Sequence, residues 1–522
     1  MYHGTVADGP ANTLGKIYLV GAGPGDPGLL TLKGQSILRS ADVVVYDYLA
    51  NPELLLETKP GAEIVYAGMH AEKRLSQKQI NQLLVGRARQ GKQVCRLKGG
   101  DPFIFGRGGE EAEHIAASGI PFEVVPGVSS GYAVPAYAGI PLTHRRLSST
   151  VTFITGHEDP EKESGTKLDW DRIAHGASTL VFFMGVKTLP AIARNLIRAG
   201  RAPSTPVAVI RWGTRGEQQV VTGTLETIAG QVKKAGLKPP ALTVVGDVVA
   251  LREKVQWFEN LPLFGERVLI TRSREQAAEL AAPLRALGAE TIELPTITIH
   301  DPEDWSPLDQ ALEAAGSYDW IIFTSANGVR KFMGRMEVTG KDIRSLAGAK
   351  ICAIGPATAE ELRKHLLRVD VDKVPREYRA EGLLEAFSEE PLAGKRFLIP
   401  RARVARDVLP DELRKRGAQV DVVEAYRTLA PADSAERARV IFSRHPPTVV
   451  TFTSSSTVEN FLRLLPQKEQ SACLNHAKLA SIGPITSGTL RRHGLTVDIE
   501  AREYTIPALV AAIVESPGKS AR

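Results

Sequence analysis

The segment GAGPGDPGLLTLKG, residues 21–34, follows the apolar run IYLV and decides how the first half of the sequence is interpreted. It contains the spacing G-x-G-x-x-G from Gly23 onward, which is typical of a dinucleotide-binding turn between a strand and a helix. Asp47 ends a second apolar run nineteen residues beyond the last glycine of that motif, where such a site places its ribose-binding acid. Pro24 and Pro27, however, lack the backbone N–H groups that a pyrophosphate-binding loop donates. The segment therefore predicts a ligand-binding turn but argues against a simple dinucleotide site.

The length and charge of the chain limit the classes of protein to consider. Its 522 residues are too many for one ordinary domain. With 43% hydrophobic and 24% charged residues, the composition is that of a globular protein with more than one core. The net charge of +6 is spread along the chain without a lysine or arginine block. This distribution argues against a nucleic-acid partner and suits a small polyanionic substrate.

The cysteines and the apolar runs indicate the compartment. Cys95, Cys352 and Cys473 lie far apart, which argues against a disulfide framework and against a zinc site. We therefore expect a cytoplasmic protein without a metal. The N-terminal residues lack the apolar core of a signal peptide, and no apolar run approaches the ~18 residues of a membrane span. No membrane partner is expected.

Short β-branched runs alternate with helical patterns along the whole chain, which predicts an α/β fold. Among these elements are a helix over Ser76–Arg89 and a strand over Gln93–Leu97. An aromatic- and proline-bearing stretch at residues 257–265 separates a helix-like end from a new strand. It predicts a linker between one domain at 15–256 and another at 266–515.

The second half contains an internal repeat. RVLITR from residue 267, LGAETIEL from 287 and FTSANGVRKF from 323 recur 129 residues later as RFLIPR, RGAQVDVV and FTSSSTVENF. AIGPATAEELRKHLL from residue 353 recurs 128 residues later as SIGPITSGTLRRHGL. These matches predict a duplicated unit of strands, loops and helices, and hence two similar lobes with a cleft between them.

Two further glycine-containing segments follow predicted strands in the first half. They are RLKGGDPFIFGRGGEE, residues 96–111, and PGVSSGYAVPAYAGIPLTHR, residues 126–145. In the first of them Gly99 and Gly100 let the backbone approach a ligand closely, although a tight turn alone would also explain them. Together with the opening segment, they predict a crevice along the edge of one sheet.

These segments, with FFMGV and PALTVVGDVV further on, resemble the tetrapyrrole methylase family, most closely its uroporphyrinogen-III C-methyltransferases. The resemblance implies S-adenosylmethionine rather than a dinucleotide as the cofactor, bound in a cleft between two α/β subdomains. It also implies a tetrapyrrole substrate and a homodimer. Because this cofactor has no pyrophosphate, the missing donors at Pro24 and Pro27 carry no penalty.

The resemblance implies the site residues as well. Asp47 corresponds to the family's proposed base for the proton lost after methylation, although substrate binding or turn capping would also suit an aspartate there. Arg107, Glu110 and Arg145 correspond to positions that line the substrate cleft, where arginines could pair with the macrocycle's carboxylates. The cofactor contacts carried over by position are Pro24, Gly99, Gly100, Asp101, Ile104, Ser129, Ser130, Met184, Gly213, Ala241 and Thr243.

Simpler alternatives stay open for several of these residues. Met184 would also suit an ordinary core position, and Ser129 or Ser130 would suit a helix cap. The sequence departs from the family at one position, because the lysine that some relatives use as a proton donor falls near Met69. Whether Lys73 replaces that lysine is left open.

The second half has no Ser-His-Asp or Cys-His arrangement, no catalytic carboxylate pair and no metal-ligand cluster. It is marked instead by TSANGV, TSSSTV and two copies of IGPxT, which suit helix capping and carboxylate binding. With LITR, LIPRA and VEAYRTL, these motifs resemble the uroporphyrinogen-III synthase family over about residues 266–515. The family's topology implies one lobe at about 266–300 plus 430–515 and another at about 301–429.

That family closes linear hydroxymethylbilane while inverting its last pyrrole ring, through loss of the hydroxyl group, an azafulvene and a spiro intermediate. Such chemistry depends on folding the substrate and orienting its acid side chains, with modest acid help. Tyr426 corresponds to the candidate general acid, although packing would also suit a tyrosine there. The implied substrate contacts are Arg272, Ser325, Asn327, Arg401, Ser454, Ser455, Gly483 and Thr486.

The resulting hypothesis is a bifunctional α/β enzyme, in which a two-subdomain tetrapyrrole methylase fold precedes a two-lobed synthase built from an internal repeat. It would convert hydroxymethylbilane to uroporphyrinogen III and methylate that product twice to precorrin-2, for sirohaem, cobalamin or another branch. Two alternatives stay open. One is an NAD-dependent oxidoreductase built on residues 15–150, and the other is a non-catalytic ligand-binding module at residues 266–515.

Overall fold

The computed structural model describes residues 14–516 with gaps at 60, 69–74, 157–167, 273, 366–370, 376–379, 406, 430–433, 445, 467–469, 471–472 and 475. The chain divides into two compact units. The first comprises the residues before Leu269, Ala282–Ile292 and the residues after Ala512, and the second comprises Leu269–Ala281 and Glu293–Ala512. No helix among the described residues is both long and apolar enough to cross a membrane.

The first sheet is entirely parallel and carries the glycine-containing segments. Its strands are β1 (Ile17–Gly21), β2 (Val43–Tyr46), β3 (Glu63–Tyr66), β4 (Val94–Lys98) and β5 (Phe122–Val125). The order is β3-β2-β4-β1-β5, so β4 is the central strand. The associated helices are α1 (Leu32–Ser40), α2 (Gln77–Arg89), α3 (Gly108–Ala117) and α4 (Ser130–Tyr137).

Local sequence explains where these elements begin. The predicted helix over Ser76–Arg89 is confirmed, with Ser76 as the N-cap of α2 rather than its first residue. The Ser76 hydroxyl accepts from the backbone N–H of Gln79, and the Gln79 side chain accepts from that of Ser76, which forms a capping box. The predicted strand over Gln93–Leu97 is confirmed one residue later, as β4.

The second sheet is mixed. Its strands are β6 (Val151–Thr155), β7 (Thr179–Phe183), β8 (Pro206–Arg211), β9 (Gln219–Thr224) and β10 (Ala241–Val245), in the order β6-β7-β10-β8-β9. The associated helices are α5 (Trp170–Gly176), α6 (Leu189–Arg198), α7 (Ile228–Lys234) and α8 (Arg252–Val255). Because β10 is antiparallel to both β7 and β8, its first residue lies at the edge where those two strands end.

Ten strands follow in the second half of the described chain. They are β11 (Arg267–Ile270), β12 (Glu290–Glu293), β13 (Thr298–His300), β14 (Trp320–Phe323), β15 (Lys350–Ala353), β16 (Arg396–Ala402), β17 (Gln419–Leu429), β18 (Val449–Phe452), β19 (Lys478–Ser481) and β20 (Ile499–Glu500). They form one sheet in the order β12-β11-β18-β19-β20 and another in the order β13-β17-β16-β14-β15.

The helices of this half are α9 (Arg274–Ala286), α10 (Ser306–Glu313), α11 (Ala326–Val338), α12 (Pro356–His365), α13 (Ala380–Ala386), α14 (Val408–Lys415), α15 (Ser434–Arg444), α16 (Ser455–Leu464), α17 (Pro484–Arg492) and α18 (Ile506–Glu515). The α/β fold class is thus confirmed. The repeated motifs occupy equivalent places in the two sheets. FTSANGV joins β14 to α11 as FTSSSTV joins β18 to α16, and the IGPxT motifs join β15 to α12 and β19 to α17.

The domain and lobe boundaries stay predictions. At the start of the predicted linker, the Trp257 indole N–H donates to the carbonyl of Ala136 at 3.0 Å, and the ring of Phe258 lies 4.8 Å from that of Tyr137. These residues therefore pack against α4. In the second half, β13, which lies at the end of the predicted lobe segment 266–300, pairs with β17 of the lobe predicted at 301–429.

Candidate functional sites

Two glycine loops meet at the carboxyl ends of β1 and β4, which are neighbours in the first sheet. The backbone N–H of Gly100 donates to the carbonyl of Gly23 at 2.7 Å, and that of Gly23 donates to the carbonyl of Gly100 at 3.2 Å. Both residues have left-handed φ angles, +76° for Gly23 and +69° for Gly100, which glycine adopts without strain. A Cβ at Gly99 would lie 2.4 Å from the Cβ of Leu49, so close packing also requires glycine there.

Other polar contacts fix the shape of these loops. Asp101 accepts from the backbone N–H groups of Phe103 at 2.8 Å and Gly127 at 2.9 Å, so it joins the loops that follow β4 and β5. Ser129 is the N-cap of α4 and accepts from the N–H of Gly131 at 3.2 Å. The helix-cap alternative for Ser129 is therefore confirmed, and the cofactor roles of Asp101 and Ser129 stay predictions.

The second sheet presents a matching edge. Met184 follows β7, Gly213 follows β8, and Ala241 begins the antiparallel β10, so all three lie where β7 and β8 end. Met184 is 54% exposed, which shows that its interpretation as an ordinary core residue is wrong. Thr243 is fully buried, and its hydroxyl has no hydrogen-bond partner among the described residues.

The loops of the two sheets touch across this crevice. The backbone N–H of Asp26 donates to the Thr214 hydroxyl at 3.0 Å, and Arg215 donates to the carbonyl of Leu49 at 3.2 Å. The rings of Phe105 and Phe183 lie 4.9 Å apart. The crevice is thus lined by loops of both α/β subdomains within one compact unit.

Backbone strain collects around the same loops. Across the described ranges, the non-glycine residues with positive φ angles are Phe105, Arg107, Met184, Trp212 and Thr214. Each such residue costs on the order of 1–3 kcal/mol and persists only where its surroundings enforce it. All five lie in the loops that follow β4, β7 and β8. This concentration makes the crevice the candidate functional site of the first unit.

Asp47 lies at the end of β2, beside the crevice, and its side chain is about a quarter exposed. One carboxylate oxygen accepts from the backbone N–H groups of Leu49 at 3.1 Å, Ala50 at 3.3 Å and Gly99 at 3.3 Å. The other lies 3.6 Å from a guanidinium nitrogen of Arg96. The turn-capping alternative is therefore confirmed, because Asp47 accepts from the backbone of the turn that follows it. Its side chain is still partly exposed and can be reached by a substrate.

The predicted substrate-binding side chains differ in their surroundings. Arg107 and Glu110 form an exposed ion pair at 2.7 Å at the start of α3. Arg145 is exposed, and no hydrogen bond or ion pair joins it to the crevice residues within the described part of the chain. Met69 and Lys73 lie outside the described residues.

Sequence reasoning missed the charged residues beneath the crevice. Arg96 and Lys98 are each only 3% exposed on the central strand, and Glu111 on α3 is fully buried. The available signal was a cation within a predicted core strand and a second one directly after it, at alternate positions, since buried lysine and arginine require partners. The segment RLKGGDPFIFGRGGEE ends in Glu110 and Glu111, and only the fold distinguishes the buried carboxylate from the exposed one.

The crevice residues fit S-adenosylmethionine. Gly100 leaves room for a ligand next to the loops, because a Cβ there would meet no atom closer than the Ser130 backbone nitrogen at 3.7 Å. Ile104 and Met184 present exposed apolar surface, and the orphaned hydroxyl of Thr243 can still form a hydrogen bond. Pro24, Gly213 and Ala241 would complete such a site, and these assignments stay predictions. No group of His, Cys, Asp or Glu side chains within the described ranges could hold a metal ion.

In the second half, Tyr426 and Ser325 form a hydrogen-bonded pair. Ser325 is the N-cap of α11 and accepts from the N–H of Gly328 at 3.0 Å, while its hydroxyl lies 2.9 Å from that of Tyr426. Tyr426 is 8% exposed, and burial raises the pKa of its phenol, although the bond to Ser325 acts in the opposite direction. The phenol therefore keeps its proton at neutral pH. The packing alternative for Tyr426 is also confirmed, since it belongs to a core cluster.

The other predicted synthase residues fall into local groups. Ser454 is the N-cap of α16, and Ser455 accepts from the hydroxyl of Thr489 on α17 at 2.8 Å. Gly483 is the N-cap of α17, where a Cβ would lie 2.3 Å from the ring of Tyr504, and Thr486 is buried in that helix. These residues lie together because β18 and β19 are parallel neighbours.

Three predicted substrate contacts have other surroundings. Arg272 forms an ion pair with Glu279 at 3.2 Å, and Arg401 forms one with Asp407. Asn327 lines a cavity of about 440 Å³ beside α10 and α11. Basic residues of that cavity are paired with acidic ones, as in the 2.6 Å contacts of Lys331 with Asp301 and Arg335 with Asp309. Asn327, Arg272 and Arg401 thus lie in different local surroundings.

Comparisons with known proteins agree with this division of the chain. Residues 16–229 match the model of the Tetrapyrrole (Corrin/Porphyrin) Methylases, and residues 278–511 match that of Uroporphyrinogen-III synthase HemD. A porphyrin biosynthesis protein HemD of Ruminiclostridium josui is 35% identical over 506 residues, which cover 97% of this chain and 98% of that protein.

Two further relatives are more similar over shorter spans. A uroporphyrinogen-III C-methyltransferase of Bacillus subtilis is 44% identical, over 67% of this chain and 71% of its own length. An S-adenosyl-L-methionine-dependent uroporphyrinogen III methyltransferase of Methanosarcina barkeri is 54% identical, over 46% of this chain and 94% of its own length. The chain therefore belongs to the tetrapyrrole methylase family through its first half and to the uroporphyrinogen-III synthase family through its second.

Proposed function

We propose that the protein catalyses two successive steps of tetrapyrrole synthesis. The second half closes hydroxymethylbilane to uroporphyrinogen III, and the first half methylates that product twice to precorrin-2. The observation that carries the proposal is the crevice at Gly23 and Gly100, with Asp47 beside it, in a chain that matches a porphyrin biosynthesis protein over nearly its whole length.

In methyl transfer, bound S-adenosylmethionine supplies an electrophilic methyl group. Asp47 accepts the proton that the macrocycle loses after methylation, from a ring nitrogen or a bridging carbon, because the methylated carbon itself carries no hydrogen. Its three backbone donors hold one carboxylate oxygen in place so that the other can act. Arg107 and Arg145 bind acid side chains of the macrocycle, for which a guanidinium provides paired donors. Glu110 keeps the Arg107 side chain oriented until the substrate arrives.

In ring closure, the protein has to fold a flexible linear substrate and assist loss of its hydroxyl group. Tyr426 donates a proton to that leaving hydroxyl, and Ser325 orients the phenol. The N-termini of α11, α16 and α17 follow the ends of parallel strands with capping residues at hand, which suits the binding of propionate and acetate groups.

The decisive experiment supplies the whole protein with hydroxymethylbilane and methyl-labelled S-adenosylmethionine and identifies the products. We expect doubly labelled precorrin-2. If only the spontaneous type-I isomer forms, the second half is a binding module rather than a synthase. If uroporphyrinogen III forms without label, the methyltransferase proposal is wrong, and calorimetric binding of NADH would then support the dinucleotide alternative.

Replacing Tyr426 with phenylalanine is expected to slow formation of uroporphyrinogen III by at least about tenfold, because the proton donor is lost while the ring still packs. The measurement is the ratio of type-III to type-I isomer formed from hydroxymethylbilane. Tyr318→Phe is the matched control, since Tyr318 is also buried and donates to Asp421 at 2.7 Å. Equal losses in both variants would assign Tyr426 to packing alone.

We further propose that the protein works in the cytoplasm as a homodimer formed through its first half. The spacing of its cysteines supports a reducing compartment, as does the burial of Cys95 and Cys352 as free thiols. Sedimentation of the purified protein tests the dimer, and a monomer at micromolar concentration would exclude it.

A further inference from the structure

The central strand of the first sheet buries two positive charges on one face. Arg96 and Lys98 alternate along β4, and each is 3% exposed. The face that they share is covered by α2 and α3. An apolar cluster surrounds it, which includes Val45 of β2, Leu84 of α2 and Ile115 of α3. Charged side chains are almost never fully buried without partners, so this placement requires an explanation.

The partner is Glu111 on α3, which is fully buried. One of its oxygens accepts from Lys98 at 3.0 Å, from the amide of Gln77 at 3.0 Å and from the Nε of Arg96 at 3.3 Å. Its other oxygen is buried and has no hydrogen-bond partner among the described residues. Three donors therefore converge on one oxygen while the other oxygen forms no hydrogen bond among the described residues. The arrangement fixes the positions of the donors but leaves half of the carboxylate unsatisfied.

Arg96 extends from this cluster to the crevice. While its Nε faces Glu111, its Nη1 lies 3.4 Å from the carbonyl oxygens of Val45 and Leu97. Its Nη2 lies 3.6 Å from the Asp47 oxygen that the backbone donors leave unused. Since the guanidinium is rigid and planar, fixing Nε and Nη1 also fixes the direction of Nη2. The position of Glu111 thus determines where the positive charge meets Asp47.

Stability alone does not account for the cluster. Buried ion pairs are often no more stabilising than apolar residues of the same size. Burial lowers the pKa of Lys98, and the charge of Arg96 adds to this effect. Burial acts to raise the pKa of Glu111, but the charges of Arg96 and Lys98 outweigh it and hold that pKa below its ordinary value. Glu111 therefore stays ionised and remains paired with Arg96.

We infer that Arg96 and Glu111 are positioning residues for methyl transfer: Glu111 aims the Arg96 guanidinium at Asp47, which is thereby held in the orientation that accepts the substrate proton. The inference rests on the proposed methyltransferase function. The contacts from Glu111 on α3 through Arg96 on the central strand to Asp47 at the crevice determine the orientation of the Asp47 carboxylate. Neither residue has to touch the cofactor or the substrate.

The test is a pair of conservative variants, Arg96→Lys and Glu111→Gln. In Arg96→Lys the positive charge remains, but a single ammonium group cannot contact the carboxylates of both Glu111 and Asp47. In Glu111→Gln the shape of the side chain remains, but its negative charge is lost. We expect kcat for methylation of uroporphyrinogen III to fall at least about tenfold in each variant, with KM and the Kd of S-adenosylmethionine changed less than about twofold. In an Asp47→Asn background, neither variant should lower kcat further, because the network acts through Asp47.

The matched controls are Arg87→Lys and Glu63→Gln, which alter an Arg–Glu ion pair at 2.7 Å between α2 and β3 of the same sheet. They should leave kcat unchanged. The inference would be overturned if Arg96→Lys or Glu111→Gln lowered kcat further in the Asp47→Asn background. It would also be overturned if both variants kept the wild-type kcat. If Arg96→Lys does not fold, Glu111→Gln decides alone. A wild-type protein that fails to methylate would refute the proposed function itself, so the two failures are distinguishable.

Discussion

Replacing Asp47 with asparagine is expected to lower kcat for methyl transfer by at least about a hundredfold, the usual contribution of a general base. The substitution is nearly isosteric, so the asparagine oxygen can still accept from the backbone N–H groups of Leu49, Ala50 and Gly99. The shape of the loop and the affinity for S-adenosylmethionine should therefore remain. What the amide lacks is the capacity to take a proton and the charge that faces Arg96.

The measurement combines steady-state methylation of uroporphyrinogen III with calorimetric binding of S-adenosylmethionine. Asp42→Asn is the control, because Asp42 immediately precedes the strand that Asp47 follows and accepts from Lys59 at 2.5 Å and from the N–H of Gln93 at 2.7 Å. That variant should lose some thermal stability but no kcat. Unchanged turnover in Asp47→Asn at saturating substrate would remove Asp47 from the mechanism.

Replacing Gly100 with valine is expected to weaken S-adenosylmethionine binding by at least about a hundredfold. The residue is buried at the meeting of the two glycine loops with a φ of +69°, and the first carbon of a side chain there would already contact the Ser130 nitrogen at 3.7 Å. A branched side chain would occupy the volume that the cofactor needs. It would also strain the backbone by about 1–2 kcal/mol in the left-handed region.

Gly119→Val separates these two effects. Gly119 has the same φ of +69°, and a Cβ there would meet nothing within 4 Å, but it lies in the turn after α3 rather than in the crevice. Both variants should lose stability in thermal unfolding because both force a side chain into the left-handed region, and only the Gly100 variant should lose cofactor affinity. Equal affinities in calorimetry would show that the crevice at Gly100 does not bind the cofactor.

Much of the fold could be predicted from local patterns. The helix over Ser76–Arg89 is visible because a serine cap and a glutamine three residues later form a capping box. The strands of the first sheet are visible as short β-branched runs. Gly23 and Gly100 could be assigned to one crevice because parallel strands end at a common edge. Each of these inferences needs only neighbouring residues or a general rule of topology.

Other features depend on contacts between distant segments. The bond between Tyr426 and Ser325 joins residues 101 positions apart, and that between Asp26 and Thr214 joins residues 188 positions apart. The exposure of Met184 also could not be predicted, because an apolar run looks the same whether its last residue enters the core or turns left-handed out of it. No periodicity in the sequence carries this information.

The sequence by itself determined the α/β class, the glycine turns, the repeat and the family resemblance, because these depend on local conformational preferences and on motifs. Only the tertiary structure decided which charges are buried together. Glu110 and Glu111 are identical in type and adjacent in sequence, yet one is exposed beside Arg107 and the other lies beneath the sheet against Arg96. Helix rotation places neighbouring residues on different faces, and the packing of α3 against the central strand determines which face is removed from water.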